Sequence, residues 1–288
     1  TNIMGRIEKA TLFSLVLLLV WGNMVSGLGA GLACPDWPLC FSSFFPELSF
    51  PIFMEHGHRV LGLVVTILFA FLARDRFKSY GKGHKWIPVT CSILLAIQIL
   101  AGGLVVILQL ETNITTFHFA NAMIIFILVY TMCTNISSKE LDLINIFDKK
   151  NLPYLTLFFL VFFQLVLGAY VRHSNAGLAC PDIPKCLGYW IPPYLSKIVS
   201  IHLLHRATGI IILLFTLALF FKGVYDNLGN SVMKNLRNLL CLVIFQVILG
   251  VLVVVSKLAF SMTAIHLLIA LMIVSVIINL LFVKSKVN

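Results

Sequence analysis

The ten residues Gly31-Leu32-Ala33-Cys34-Pro35-Asp36-Trp37-Pro38-Leu39-Cys40 return as Gly177-Leu178-Ala179-Cys180-Pro181-Asp182-Ile183-Pro184-Lys185-Cys186, displaced by 146 positions. An internal repeat fixes the reading of everything around it, because each copy is one structural unit. Working outward, His58-Arg59 returns as His205-Arg206, displaced by 147, and Gln98-Ile99-Leu100-Ala101-Gly102 matches Gln246-Val247-Ile248-Leu249-Gly250, displaced by 148. His118 matches His266 at the same 148. The slow growth of the offset leaves room for only two small loop insertions, so the chain reads as two copies of one unit.

The unit is helical and membranous. The chain has 288 residues, a mean hydropathy of +1.01 and 60% hydrophobic residues against 11% charged, too apolar for an ordinary soluble domain, which is about half apolar. A membrane-crossing helix needs about 20 mostly apolar residues, and eight runs approach that length, at 11–29, 58–73, 86–108, 117–134, 152–171, 200–221, 238–255 and 262–283. The fold expected is therefore an all-α integral membrane protein, with eight transmembrane helices arranged as two pseudo-symmetric four-helix bundles. Four helices per copy is an even number, so the two copies share one orientation, as in parallel tandem repeats. The expected divisions are an N-terminal unit at 1–134, a charged cytoplasmic linker at 135–151 and a C-terminal unit at 152–288.

The net charge of +10 raises the question of nucleic acid, and the placement of the basic residues answers it. With a cytoplasmic N-terminus, fifteen of the 21 Lys and Arg fall on the inner side, leaving Arg59, Arg172, Lys185, Lys197, Arg206 and Lys257 outside. Basic residues gather in this way in cytoplasmic loops. Both termini are thus expected inside and the long loops 30–57 and 172–199 outside, in a multi-pass bacterial cell-membrane protein whose partner is lipid and not nucleic acid. The first helix is read as a span and not a cleaved signal, since the repeat requires it and no small-residue cleavage site precedes the loop motif.

Four of the eight histidines form the repeat-related pairs His58 with His205 and His118 with His266. All four stand near the outer start of their spans, on helices that run inward. Taken singly, each is an ordinary interfacial histidine making a hydrogen bond to a neighbouring helix. Taken together, four ionisable residues at equivalent positions and one depth read as functional. Two imidazoles at matching depth on neighbouring helices can take both axial positions of a haem iron, and a bundle interior suits a large planar cofactor. Copper or zinc is the competing use of imidazole, but no third or fourth ligand for a closed zinc site accompanies either pair. Arg59 and Arg206 follow their histidines, where a guanidinium can pair with a haem propionate or simply snorkel to the interface.

Cys34 with Cys40, and Cys180 with Cys186, lie in outer loops, where disulfides are tolerated. Each proline-stiffened loop can close over the outer end of a pocket, as a structural bridge or a redox-active one. Their spacing matches neither a zinc knuckle nor a thioredoxin-type pair. Cys91, Cys133 and Cys241 lie within helices and are read as packing residues, and His84 and His173 as loop residues.

The halves differ most clearly one turn before the first paired histidine, where Glu55 aligns with His202. Three residues before His58, Glu55 shares its helix face and is the candidate for chemistry in the first half alone, as a base or as a stabiliser of positive charge. It can equally be an acid favoured at a helix start. His202 is an alternative ligand to His205, while His56 is expected to point away from His58.

The Gly-Leu-Ala-Cys-Pro-Asp loop, Glu55-x-x-His58-Arg59, His118, His205-Arg206 and His266 together resemble the haem A synthase family, over essentially the whole chain. His56 departs from the family pattern, which more often has an aromatic residue there. The resemblance implies oxidation of the C8 methyl of haem O to a formyl group, giving the haem A of cytochrome c oxidases. It implies that His58 and His118 hold the substrate haem O and the product haem A, that His205 and His266 hold a haem b for electron transfer, and that Glu55 is catalytic. Haem O synthase and cytochrome oxidase assembly factors would be the partners, and a homo-oligomer is compatible with it. The rival from another class is a membrane electron-transfer cytochrome with two b-type haems, a quinol oxidoreductase that does not modify haem. A haem transporter is the other, disfavoured because paired ligands hold too firmly for release.

Overall fold

The computed structural model describes residues 3–134 and 148–282. Eight α-helices run through them: α1 (Ile3–Gly27), α2 (Phe50–Ser79), α3 (Trp86–Ile107), α4 (Thr112–Cys133), α5 (Leu152–His173), α6 (Lys197–Tyr225), α7 (Asn230–Val255) and α8 (Phe260–Phe282). No strand occurs among the described residues, only the isolated bridges Cys40 with Ser43 and Cys186 with Tyr189. The chain divides into two compact units, Thr1–Leu141 and Asp142–Asn288. The expected linker at 135–151 falls largely on residues outside those described, as do Lys139, Lys284 and Lys286.

In the first unit α1 packs against α2 and α4, and α3 against α4 and α2. In the second, α5 packs against α6 and α8, and α7 against α8 and α6. The surfaces left over are apolar: Phe13 is 71%, Leu63 61% and Leu214 59% exposed, as suits helices that meet lipid. Hydroxyl groups within the helices close back on the carbonyl four residues earlier, among them Thr11 on Ile7, Thr131 on Ile127 and Thr216 on Ile212. That satisfies polar groups where hydrocarbon offers no partner.

Among the described residues, seven helices are long and apolar enough to cross a membrane, not the eight expected. The exception is α2. Glu55, His56, His58 and Arg59 crowd its first turns and Arg74, Asp75, Arg76 and Lys78 its last, so its apolar stretch is confined to 60–73. The helices also begin earlier than the apolar runs do. Ser49 precedes α2 with Pro51 in its first turn, and Ser196 caps α6 by accepting from the Val199 N–H, signals that start a helix whatever its polarity. The histidines consequently stand deeper than the first turn: His58 and His205 each come eight residues after the first residue of their helix, and His118 and His266 each six. His173 is the last residue of α5, and His84 closes a short 3₁₀ turn.

The two cysteine loops share one construction. Cys34–Cys40 and Cys180–Cys186 are disulfides, with all four cysteines fully buried. Beyond the second cysteine of each, Phe41 and Ser42, then Leu187 and Gly188, take left-handed backbone, which turns their amides toward the aspartate of the motif. Asp36 accepts from both Phe41 and Ser42 N–H at 2.6 Å, and Asp182 from Gly188 N–H at 2.7 Å. The Ser42 amide above all holds the Asp36 carboxyl below its ordinary 3.8. A carboxyl lowered on folding adds stability that is fully present above the unfolded value and is lost as pH falls through the folded one. Protection of the Phe41 and Ser42 amides from hydrogen exchange, corrected for intrinsic rates, should therefore be level above about pH 4 and decline below it. In Asp36→Asn that pH-dependent step should vanish.

Candidate functional site

Each of the four paired histidines meets a glycine across its own helical hairpin. A Cβ placed on Gly22 of α1 would lie 2.8 Å from His58 Cε1, and one on Gly168 of α5 would lie 2.9 Å from His205 Cε1. On α3, Gly102 faces His118 Cε1 at 3.3 Å, and on α7 Gly250 faces His266 Cε1 at 3.6 Å. The four imidazoles thus turn their Cε1 edges to neighbouring backbone: a Cβ at Gly22 or Gly168 would collide with the ring, one at Gly102 would crowd it, and one at Gly250 would make an ordinary contact. All four also keep a buried Nδ1 with no protein partner. Within each unit the two rings belong to one set of packed helices, His58 on α2 and His118 on α4 in the first, His205 on α6 and His266 on α8 in the second.

Unsatisfied buried nitrogens repeated at four equivalent places call for an explanation. A pair of imidazoles held against glycines inside a four-helix unit fits a planar metal-centred group such as haem. His58 with His118 would hold one such group, and His205 with His266 another. The glycines were legible only in part. Gly102 and Gly250 belong to the repeat, but Gly22 and Gly168 stand apart from it, each twelve residues before the first cysteine of its loop. Gly168→Ala should turn the His205 ring and lower the haem content of the second unit, measured as haem per protein. Gly5→Ala, with nothing within 4 Å of its Cβ, should leave that content unchanged.

The expected site residues on the first turns of α2 and α6 face the cysteine loops. Glu55 Oε2 accepts from Cys34 N–H at 2.7 Å, and Glu55 Oε1 pairs with Arg59 Nη2 at 2.6 Å. Arg59 goes on to donate to the carbonyls of Asp36, Leu39 and Cys34. In the second unit Arg206 donates to the corresponding carbonyls of Asp182, Lys185 and Cys180. The arginines therefore bind the disulfide loops onto their helices, and the propionate pairing expected of them competes with that task.

His202 occupies the place of Glu55. Arg206 Nε donates to its Nε2 at 3.1 Å, which puts the ring proton on Nδ1 for donation to the Ala176 carbonyl at 2.9 Å. The Cys180 N–H is left 3.4 Å from that same Nδ1. With both nitrogens engaged, His202 is not offered as a ligand in place of His205. One exchange thus converts a carboxylate, buried to 5% exposure and joined to a loop amide, into a neutral ring that holds the amide poorly.

Other differences line up with this one. Trp37 lies over Gly103 of α3, whose Cβ would come within 2.9 Å of the indole, while the aligned residues are Ile183 and Val251. Asn23, beside Gly22, buries a carbonyl oxygen with no partner and aligns with Ala169. His56 turns toward the cysteine loop, its Nε2 3.0 Å from the Phe44 carbonyl and its Nδ1 buried with no protein partner. It stands close to Cys34 and Cys40, but those sulfurs are bonded to each other, so the trio is not a metal site.

A family model described as cytochrome oxidase assembly protein matches residues 46–278. Among similar curated proteins, one named heme A synthase from Shouchella clausii (strain KSM-K16) is 29% identical over 262 residues, covering 87% of this chain and 86% of its own length. Another of that name, from Bacillus pumilus (strain SAFR-032), is 28% identical over 269 residues, covering 89% and 87%. A third, from Lysinibacillus sphaericus (strain C3-41), is 28% identical over 285 residues, covering 95% and 90%.

Proposed function

The chain belongs to the cytochrome oxidase assembly protein family, and from that premise we propose that it is a haem A synthase, an oxidoreductase that converts the C8 methyl of haem O to the formyl group of haem A. The first unit, 1–134, takes the substrate between His58 and His118. The second, 152–288, keeps a haem b between His205 and His266. The two arose as a parallel tandem repeat of one four-helix bundle, joined by the linker 135–151. The glycine-backed imidazoles support both sites equally, and so by themselves do not say which haem is altered.

One observation carries the assignment: of the two positions at which each unit ties its cysteine loop to the helix, one is arginine in both, Arg59 and Arg206, and the other is the carboxylate Glu55 in the first unit and His202 in the second. Conversion of a methyl to a formyl group removes four electrons in two steps and adds one oxygen. The pocket in which this happens has to take up protons and offset positive charge as it develops. A carboxylate one helical turn from the ligand His58 can do both, and its bonds to Cys34 N–H and Arg59 hold it in place beforehand. Arg59 pairs with the carboxylate and fixes its direction. A haem held by His205 and His266 would supply the route by which electrons leave, for which no carboxylate is needed.

The asymmetry of basic residues supports placing both termini in the cytoplasm and the cysteine loops on the outer face. On that topology α2 is the eighth span: its 30 residues reach about 45 Å, with the polar turns at either end lying in the interfaces. Haem O synthase is the partner that would deliver substrate, and the oxidase assembly pathway the consumer of product. In membranes supplied with haem O, the protein should yield haem A or its hydroxylated precursor, separated by chromatography and identified by mass. Haem O recovered unchanged would contradict the assignment.

A further inference from the structure

We propose that Gln98, held in position by Asn121, competes with haem iron for His118 and so makes the first-half site the one that lets its haem go. The proposal rests on the reading of that site as the place where substrate enters and product leaves. In the first unit the Gln98 side-chain nitrogen lies 3.1 Å from His118 Nε2. Its side-chain oxygen accepts from Asn121 Nδ2 at 2.8 Å, and that same nitrogen also donates to the Leu94 carbonyl at 2.9 Å. With its oxygen committed to Asn121, Gln98 can offer His118 only an N–H. Nε2 must then accept and the ring proton is left on Nδ1, so that neither ring nitrogen offers a free lone pair to a metal while this hydrogen bond stands.

The second unit has the same glutamine and the same histidine, yet the contact differs. Gln246 donates instead to the main-chain carbonyl of His266 at 3.0 Å, and its own side-chain oxygen is buried without a partner. The residue that separates the two arrangements stands three places after the histidine: Asn121 in the first unit, 3% exposed, and Ile269 in the second, 9% exposed. Isoleucine has nothing to hold the glutamine oxygen, so the amide is free to turn away from the ring. His266 Nε2 thus stays available to a permanently bound group, whereas His118 Nε2 is given up to a ligand only when a hydrogen bond is broken. A site that turns over has to bind well enough to fill and loosely enough to empty.

The test uses the full chain in detergent with haem in both halves, and follows transfer of haem to an excess of apomyoglobin by absorbance. Two phases are expected, with the faster one lost in His118→Ala. Both Gln98→Ala and Asn121→Ile should slow the fast phase, by about two- to tenfold, the range that one neutral hydrogen bond sets, and leave the slow phase unaltered. The slow phase reports in each variant that the second unit is folded. Asn121→Ile adds no cavity and no polar group, so it decides the matter if Gln98→Ala loses its first-half haem. A fast phase unchanged or quickened in Asn121→Ile would overturn the competition, making Gln98 a support of the bound ligand. Should His118→Ala remove no phase at all, the first half is not a haem site, and the competition falls with that reading.

Discussion

Glu55→Gln should lower the turnover of haem O by about two to four powers of ten, the usual contribution of a positioned proton-transfer group, while both haems stay bound. Glutamine has nearly the shape of glutamate but only one accepting oxygen. It can keep the Cys34 N–H or face the Arg59 guanidinium, and not both as Glu55 does. The loop stays anchored through the Arg59 bonds to the Asp36 and Leu39 carbonyls, so folding and haem content should change little. The measurement is the turnover rate beside haem per chain. Turnover kept within about threefold would remove Glu55 from the chemistry and leave it a cap of the cysteine loop.

His205→Ala and His266→Ala should each cost one haem per chain and bring haem A formation to background, although neither residue lies in the unit proposed to hold the substrate. Alanine would remove one of the two proposed ligands and leave the second unit with one imidazole against its glycine. If the haem of that unit carries electrons away from the first, turnover stops while haem O still binds between His58 and His118. Extracted haem per protein, read together with haem A yield, checks this. Retention of activity after loss of the second-half haem would mean that electrons leave by another path. His58→Ala and His118→Ala should behave differently, leaving haem b in place and abolishing substrate binding.

The repeat, the helical class and the four histidines were legible because they depend on matching positions at offsets that hardly drift, and on runs of apolar residues. What the chain did not disclose locally were contacts made by residues far apart in sequence. Spacing along α2 sets Glu55 on the face of His58, but its oxygens are claimed by an amide 21 residues earlier and by Arg59. Arg59 and Arg206 looked suited to propionates for the same reason, since nothing in an adjacent His-Arg pair reveals the carbonyls of a returning loop. The depth of the histidines was misjudged because an apolar run marks where lipid begins, whereas a helix begins at its cap, as Ser49 and Ser196 do here. That same difference leaves α2 short of the apolar length its seven companions reach. Asn121 carried a signal that alignment of the halves exposes, a buried polar residue opposite Ile269, but its meaning depends on Gln98 lying across the hairpin.

That the two units hold chemically different haems is tested most directly by purifying the protein from cells that make haem O, extracting its haems and separating them by chromatography with mass detection. Haem B together with haem A or its hydroxylated precursor, in about equal amounts, is the expected result, with the modified haem absent when Glu55 is replaced. Haem B alone, two per chain and indifferent to Glu55, would contradict it and make the protein a membrane cytochrome that carries electrons without altering haem.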